Sequence, residues 1–352
     1  MVIDGGMERH MKLAIIGTGK IVQEALYAID SLHSIDTRAI FGRPHSREKA
    51  RSLADQYRIP EVYTDYEMLL EQSDADTVYI GLINSVHYAY AKEALLHGKN
   101  VILEKPFVLE SSQAEELRDL AREKNRIILE AVTVLHSAVF RKMRECLPGI
   151  GAPKLVLCNY SQYSRSYDAY LNGVIAPVFD PAQYGGAVND LGVYTIHYCV
   201  GLFGMPEDAA YFPNRGYNGV DTSGVLVLMY PGFICVCASA KDSDSPGFIS
   251  VQGEKGWMRA DGKPNVPEKL TIQTLDQGNP SVSTDAAGAT VRKSIAKDYL
   301  PPAVRHRMTQ EFADFAEIID GKENAIAAEL MEETIQVVKV LEMAGMQDHV
   351  RS

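Results

Sequence analysis

The sequence predicts an α/β Rossmann-type doubly wound parallel sheet, followed by an α+β domain with a mainly antiparallel open sheet. Three observations carry this. Short apolar runs at residues 12–16, 37–41, 77–82, 101–103 and 126–131 alternate with helically spaced segments at 21–32, 47–57, 86–97 and 112–124. Beyond residue 132 the rhythm changes to strands joined by tight turns such as Pro231-Gly232. At 352 residues the chain also exceeds what one hydrophobic core usually organises, which favours two domains.

Each element follows from its pattern. Apolar strands separated by helices indicate βαβ units and a parallel sheet, and right-handed crossovers then give the doubly wound arrangement. In the second part, strands are expected at 154–163, 223–230, 233–239, 247–252, 256–260, 268–275 and 290–295. One helix at 189–202 interrupts them, and two more at 303–319 and 330–343 close the chain. The Ser-, Thr- and Ala-rich stretch 278–288 reads as a loop. The expected division is a disordered extension at 1–10, a dinucleotide-binding domain at 11–131, and a substrate and oligomerisation domain at 132–352. A homodimer or homotetramer is expected.

Composition removes several function classes. The net charge is −11 and no long basic run occurs, which argues against nucleic acid as a partner. No stretch approaches the roughly 20 apolar residues of a membrane span. Residues 1–10 have no apolar h-region and are not read as a secretory signal. The five cysteines, Cys146, Cys158, Cys199, Cys235 and Cys237, form an odd set without C-x-x-C spacing. A reducing, cytoplasmic setting and no metal site are expected. Cys235 and Cys237 alternate in an apolar run, so they share one face of a strand.

Gly17-Thr18-Gly19-Lys20-Ile21-Val22 stands between the first strand and the first helix. Gly17 suits a tight turn, Gly19 lets backbone approach a pyrophosphate, and the helix start offers N–H groups to the anion. The third small residue of G-x-G-x-x-G is replaced by Val22, which implies an altered helix seat rather than lost phosphate binding. An ordinary strand-to-helix turn is the alternative reading. The second strand ends without the acid that grips ribose hydroxyls; Asp36 precedes it, while Arg43 follows it with Ser46 and Arg47 nearby. Arg43 suits a 2′-phosphate, so the balance favours NADP, with NAD the second choice. A solvated loop arginine is the alternative.

Two further segments carry chemistry. Glu104-Lys105-Pro106 ends a strand, and a partly desolvated lysine near a cofactor cation suits proton transfer. Gly185-Gly186 leads to Asp190 and Tyr194, four apart and so on one face of a helix. Each has an ordinary alternative: a strand-end surface lysine, a helix N-terminal acid, a core aromatic.

Taken together these segments resemble the Gfo/Idh/MocA oxidoreductases over nearly the whole chain. The resemblance rests on Gly17-x-Gly19, on Asn84-x-x-His87 before a helix ending His97-Gly98-Lys99, on Glu104-Lys105-Pro106, and on Gly185-Gly186 leading to Asp190-x-x-x-Tyr194. It implies that Lys105 is the catalytic proton donor or acceptor, that Asp190 and Tyr194 complete the substrate site, and that Asn84, His87 and Glu104 lie with the cofactor. Tyrosine at 194 is similar to the glucose–fructose oxidoreductase and dimeric dihydrodiol dehydrogenase branches. Leu82-Ile83 replaces a common Thr-Pro, and Leu135 and Ala138 stand where Arg and Pro are common. Substrate contacts are expected from His136, Tyr163, Arg165, Tyr167 and His197, whose side chains suit a small hydroxylated molecule such as a sugar, polyol or diol. The expected activity is reversible hydride transfer between a nicotinamide and a carbonyl or secondary alcohol. Two rivals are a relative that cleaves glycosides by transient oxidation with NAD, and a cofactor-binding regulator without turnover. Retention of Lys105, Asp190 and Tyr194 favours catalysis.

Overall fold

The computed structural model describes residues 10–276 and 293–348, with 283–284, 286–288 and 290–291 between them. The expected extension lies outside these residues except for His10, as do parts of the expected loop at 278–288 and strand at 290–295. The chain divides into two units: everything up to Ala131 together with Val304–Ile335, and Val132–Ala303 together with the remainder from Gln336.

In the first unit the expected alternation is present as β1 (Met11–Ile16), α1 (Lys20–Ile29), β2 (Ile35–Phe41), α2 (Arg47–Tyr57), β3 (Glu61–Tyr63), α3 (Tyr66–Gln72), β4 (Thr77–Ile80), α4 (His87–Leu96), β5 (Asn100–Glu104), α5 (Ser111–Glu123) and β6 (Ile128–Ala131). The six strands lie in the order β3-β2-β1-β4-β5-β6, and every neighbouring pair is parallel. The reversal of order between β1 and β4 opens the crevice where doubly wound sheets bind ligands. β3 and α3 escaped the sequence reading because β3 is only three half-buried residues long. Helix α3 announces itself only through Asp65, whose carboxylate accepts the Met68 N–H at 3.0 Å.

The second unit holds α6 (Thr133–His136), α7 (Ala138–Cys146), β7 (Pro153–Ser161), α8 (Tyr167–Leu171), α9 (Val193–Phe203) and β8 (Asp208–Arg215). It continues with β9 (Asp221–Tyr230), β10 (Phe233–Ala240), β11 (Phe248–Gly253), β12 (Gly256–Lys263), β13 (Val266–Leu275), the short pair β14 (Ser283–Thr284) and β15 (Thr290–Val291), and β16 (Ser294–Tyr299). Eight strands form one sheet, β16-β13-β12-β11-β7-β10-β9-β8, antiparallel except where β7 meets β10. Alternating burial along β9 and β10 buries one face of the sheet, where Cys235 and Cys237 lie together as expected. Helix α9 packs its apolar side into that core with Ile196, Tyr198 and Cys199.

One boundary needs correction. The sequence reading gave all of 132–352 to the second domain, whereas Val304–Ile335 belongs to the first unit. The reason is α10 (Thr309–Gly321), the first of the two closing helices, with α11 (Asn324–Asp348) after it. Its buried Met308, Phe312, Phe315 and Ile319 complete the first unit's core, and Phe312 meets Tyr79 of β4 edge-on at 5.3 Å. Arg307 donates to Glu24 of α1 at 2.7 Å, and Arg305 to Asp30 at 3.2 Å. A parallel sheet needs cover on both faces, and this late helix supplies part of it.

Val22 explains its own departure from the glycine motif. It is fully buried, and a Cβ placed on Gly81 would approach Val22 Cγ2 to 2.7 Å. The small residue needed for close helix–strand packing has moved from the helix to the end of β4. Gly81→Ala is therefore expected to destabilise by about 1–3 kcal/mol through overpacking. Adding Val22→Ala should recover a large part of that loss in urea unfolding, and additive losses would contradict the pairing.

Candidate functional site

The first unit contributes the glycine turn and the lysine. Gly17 has φ +119°, accepts no side chain because a Cβ would sit 2.6 Å from the Gly81 carbonyl oxygen, and donates its N–H to Phe41 O at 3.0 Å. Gly19 occupies the N-cap of α1 with no side chain capping the helix and nothing within 4 Å of its missing Cβ. Such an open, backbone-lined helix start fits a dinucleotide pyrophosphate. Thr18 lies over the next loop, since a Cβ on Gly42 would meet Thr18 Cγ2 at 3.2 Å. Arg43 then begins the loop after β2 with its side chain exposed, and no acid stands beside it in Gly42-Arg43-Pro44-His45-Ser46. Lys20 is exposed and pairs with Glu24 at 3.7 Å.

Lys105 sits half-buried just beyond β5, with the Lys105–Pro106 peptide in cis. Three buried side chains fix its neighbours. Glu104 accepts from the Tyr79 hydroxyl at 2.7 Å and from the Lys105 N–H at 3.2 Å. Glu130 at the end of β6 accepts the Phe107 N–H at 3.0 Å and the Thr334 hydroxyl at 2.9 Å. His87 places Nδ1 3.0 Å from Pro106 O and Nε2 3.2 Å from Leu82 O. Burial pushes the His87 ring below its usual pKa against the pull of those carbonyls.

The side chains of His87 and Glu104 are both buried, and these contacts tie them to the segment around Lys105. Asn84 lies in a 3-10 turn before α4, whose N-cap is Val86, so it does not cap that helix.

Burial also pushes the Glu104 carboxyl upward, opposed by the Tyr79 hydroxyl and the Lys105 charge. Glu311 of α10 is pushed up by burial too: it is fully buried, neither carboxyl oxygen has a hydrogen-bond partner among the described residues, and Glu104 repels its ionised form. No motif announces it, because it is one acid in an otherwise ordinary amphipathic helix.

In the second unit the residues before α9 are shaped by Asp221, at the start of β9. Its carboxylate accepts the Val188 N–H at 2.8 Å and the Tyr211 hydroxyl at 2.6 Å. A Cβ on Gly186, whose φ is +126°, would overlap that carboxylate, and one on Gly185 would lie 2.6 Å from Pro177 O. The glycine pair is thus required by close approach. Val188–Gly192 then makes a π-helical turn that leads into α9 and presents Asp190, with buried Tyr194 one turn on. The Tyr194 ring lies 5.6 Å from that of Tyr160 on β7. Asp190 pairs with Lys241, which follows β10 and was not recognised in the sequence; its only signal is a charged residue directly after an apolar strand.

Tyr163 is exposed and donates to Asp168 at 2.7 Å, Tyr167 packs between Tyr163 and Phe179, and Arg165 is exposed. His136 and His197 are buried. The Cys158, Cys199 and Cys237 sulfurs lie within 4.8 Å of one another. Hydrogen bonding to the other two thiols, with burial added, pushes the Cys158 thiol well above its usual pKa, so it packs as a neutral core group.

Residues 11–132 match the oxidoreductase family with an NAD-binding Rossmann fold, and residues 140–259 match the GFO/IDH/MocA C-terminal domain. The chain belongs to the Gfo/Idh/MocA oxidoreductases. It is an NAD(P)-dependent oxidoreductase, as the catalytic reading of the sequence expected. A relative from Bacillus subtilis (strain 168), the scyllo-inositol 2-dehydrogenase (NADP(+)) IolU, is 28% identical over 96% of this chain and 97% of its own length. The uncharacterized oxidoreductase YgjR of Escherichia coli (strain K12) is 32% identical over 70% of this chain and 75% of its own. Trans-1,2-dihydrobenzene-1,2-diol dehydrogenase of Xenopus tropicalis is 28% identical over 70% and 74%. Among solved structures, the 3-ketoreductase KijD10 from Actinomadura kijaniata, in complex with NADP and TDP-benzene, superposes with a TM-score of 0.80 at 20% identity over 96% of this chain and 98% of that one. At that identity the likeness bears on the fold of this Gfo/Idh/MocA member. Among the described residues no helix is long and apolar enough to cross a membrane.

Glu311 yields a pH prediction. Its folded pKa lies above the unfolded value of 4.5, so its contribution to stability is complete below pH 4.5 and is lost as pH rises through the folded value. Glu311→Gln, which cannot ionise, should gain unfolding free energy relative to the parent as pH rises above the ordinary carboxylate range. A difference that does not change with pH would contradict a protonated Glu311.

Proposed function

We propose that this chain is an NADP-preferring dehydrogenase or reductase. It interconverts a secondary alcohol and a ketone on a small hydroxylated substrate, a sugar, polyol or diol, with Lys105 as general acid and base. The observation that carries the reading is Lys105 itself: a half-buried amine on the rigid end of a Rossmann strand, its flanking residues tied down by Glu104, His87 and Glu130. Rigid placement is what a proton-transferring group requires. The named activities of IolU and the dihydrodiol dehydrogenase, both dehydrogenases of hydroxylated rings, support the substrate class.

Gly17, Thr18, Gly19, Lys20 and Ile21 hold the pyrophosphate against the start of α1, and Asn84 stands at the beginning of the segment leading into α4. Arg43 receives the 2′-phosphate; its exposure in an acid-free loop and the NADP in the name of IolU support this. When bound, the nicotinamide supplies or accepts the hydride at its C4. In reduction Lys105, as an ammonium, donates its proton to the oxygen that becomes the hydroxyl; in oxidation the neutral amine takes it back. Asp190 accepts a hydrogen bond from a substrate hydroxyl, and the Tyr194 phenol donates to the oxygen that gains charge. Tyr163, Tyr167 and Arg165 line the approach.

Two measurements test this reading. NADPH should bind more tightly than NADH, and Arg43→Ala should narrow the gap by about 1.5–3 kcal/mol, the usual worth of a charged hydrogen bond; equal or stronger NADH binding in the parent contradicts it. Lys105→Met should keep cofactor affinity while turnover of a polyol or diol falls by about 10²–10⁴-fold. Near-parental turnover would remove Lys105 from the chemistry.

A further inference from the structure

The second unit holds a buried lysine with a carboxylate beside it. Lys241 follows β10 directly, its N–H donates to Thr222 O at 2.8 Å, and its ammonium lies 5.9 Å from the centre of the Phe179 ring. Its side chain is 6% exposed, whereas that of Asp190, its partner, is 32% exposed. The pair is therefore one-sided: the ammonium reaches from inside the protein to a carboxylate that is itself presented outward. A partly buried ion pair of this kind adds little stability compared with apolar packing, because the ammonium has lost its water. What it supplies is direction, since an ammonium at one carboxylate oxygen restricts rotation of the group. The local backbone needs such help. Asp190 stands in the π-helical turn Val188–Gly192, whose geometry is less regular than the α-helix that follows.

We propose that Lys241 is a positioning residue for Asp190: it holds the carboxylate aimed so that Asp190 can accept a substrate hydroxyl. This rests on the assignment of Asp190 to substrate orientation. Lys241 touches no reacting atom in this scheme and acts only through its partner. Phe179, whose ring lies near the ammonium, belongs to the buried cluster with Tyr170 and Val220.

The test is steady-state kinetics on the full chain with NADPH or NADP and a polyol or diol that the parent turns over. Lys241→Met, Asp190→Asn, their combination and Lys105→Met are compared per folded molecule. Lys241→Met keeps the stem and removes the charge; kcat is expected to fall by about 10- to 100-fold, the size of effect a misplaced orienting group produces, with KM changed much less. In the Asp190→Asn background the same change should cost nothing further, because the two residues act as a unit. A purely structural lysine predicts the reverse: a lower unfolding midpoint, unchanged kcat, and additive effects in the double variant. If Lys241→Met does not fold, Lys241→Gln, which can still hydrogen-bond the carboxylate, should show a smaller fall in the same direction. Unchanged kcat in either soluble variant overturns the inference. If that occurs while Lys105→Met still loses turnover, only Lys241 is reassigned. A parent inactive on every substrate with either cofactor overturns both this inference and the functional reading beneath it.

Discussion

Residues 104–107 leave β5 inside a set of buried hydrogen bonds, and the position of Lys105 follows from them. Glu104 is held by Tyr79 of β4, Pro106 faces the ring of His87 from α4, and the Phe107 N–H is taken by Glu130 of β6. Three separate elements thus meet at one short segment. Each group would be costly to bury alone, which makes the arrangement all-or-none: removing one partner strands another polar atom away from water. The late helices belong to the same design, since Phe312 of α10 packs on Tyr79 and Thr334 of α11 donates to Glu130. A chain segment some two hundred residues downstream thereby helps to set the backbone that follows Lys105.

The second unit solves a similar problem with glycine and charge. Asp221 binds the backbone before α9 so closely that Gly186 admits no side chain, and this sets where the π-helical turn starts. From that start Asp190 is presented outward while Tyr194 turns into the aromatic neighbourhood of Tyr160. The substitution of Val22 for a motif glycine is answered by Gly81 on the facing strand. In both units a tight backbone contact, rather than a side-chain network, decides where a helix begins.

Much of the fold was legible in the sequence, and the reason is periodicity. The Rossmann alternation, the antiparallel second sheet and the helix after Gly185-Gly186 each present a repeating apolar pattern over enough residues to be read. What escaped lacked such a pattern. β3 has three half-buried residues, and β8, at the far edge of its sheet, buries the run Ala209–Tyr211 without the alternation that marks a strand. The membership of α10 depends on which core its Phe312 stripe enters, and an apolar stripe does not name its partner. For the site, residue type pointed to chemistry but not to burial. His87, His136 and His197, expected beside cofactor or substrate, are all buried, and both ring nitrogens of His87 lie within hydrogen-bond distance of the chain's own backbone carbonyls. Conversely Lys241 and Glu311 drew no attention because a single charge beside an apolar run is the commonest of sequence features. Only their burial and their partners make them informative.

On the proposed function, this protein moves a hydride between a nicotinamide dinucleotide and the carbinol carbon of a small hydroxylated substrate, with proton exchange at a rigidly held lysine. The most direct measurement is isotope transfer in the parent enzyme. NADPH carrying deuterium at C4 is supplied in both stereochemical forms with a cyclic polyol ketone, and the product is examined by mass spectrometry and proton NMR. One form should deliver a single deuterium to the new carbinol carbon, with one NADP formed per product. Product lacking deuterium from both forms, or cleavage of a glycoside with no net oxidation of the cofactor, would contradict the account.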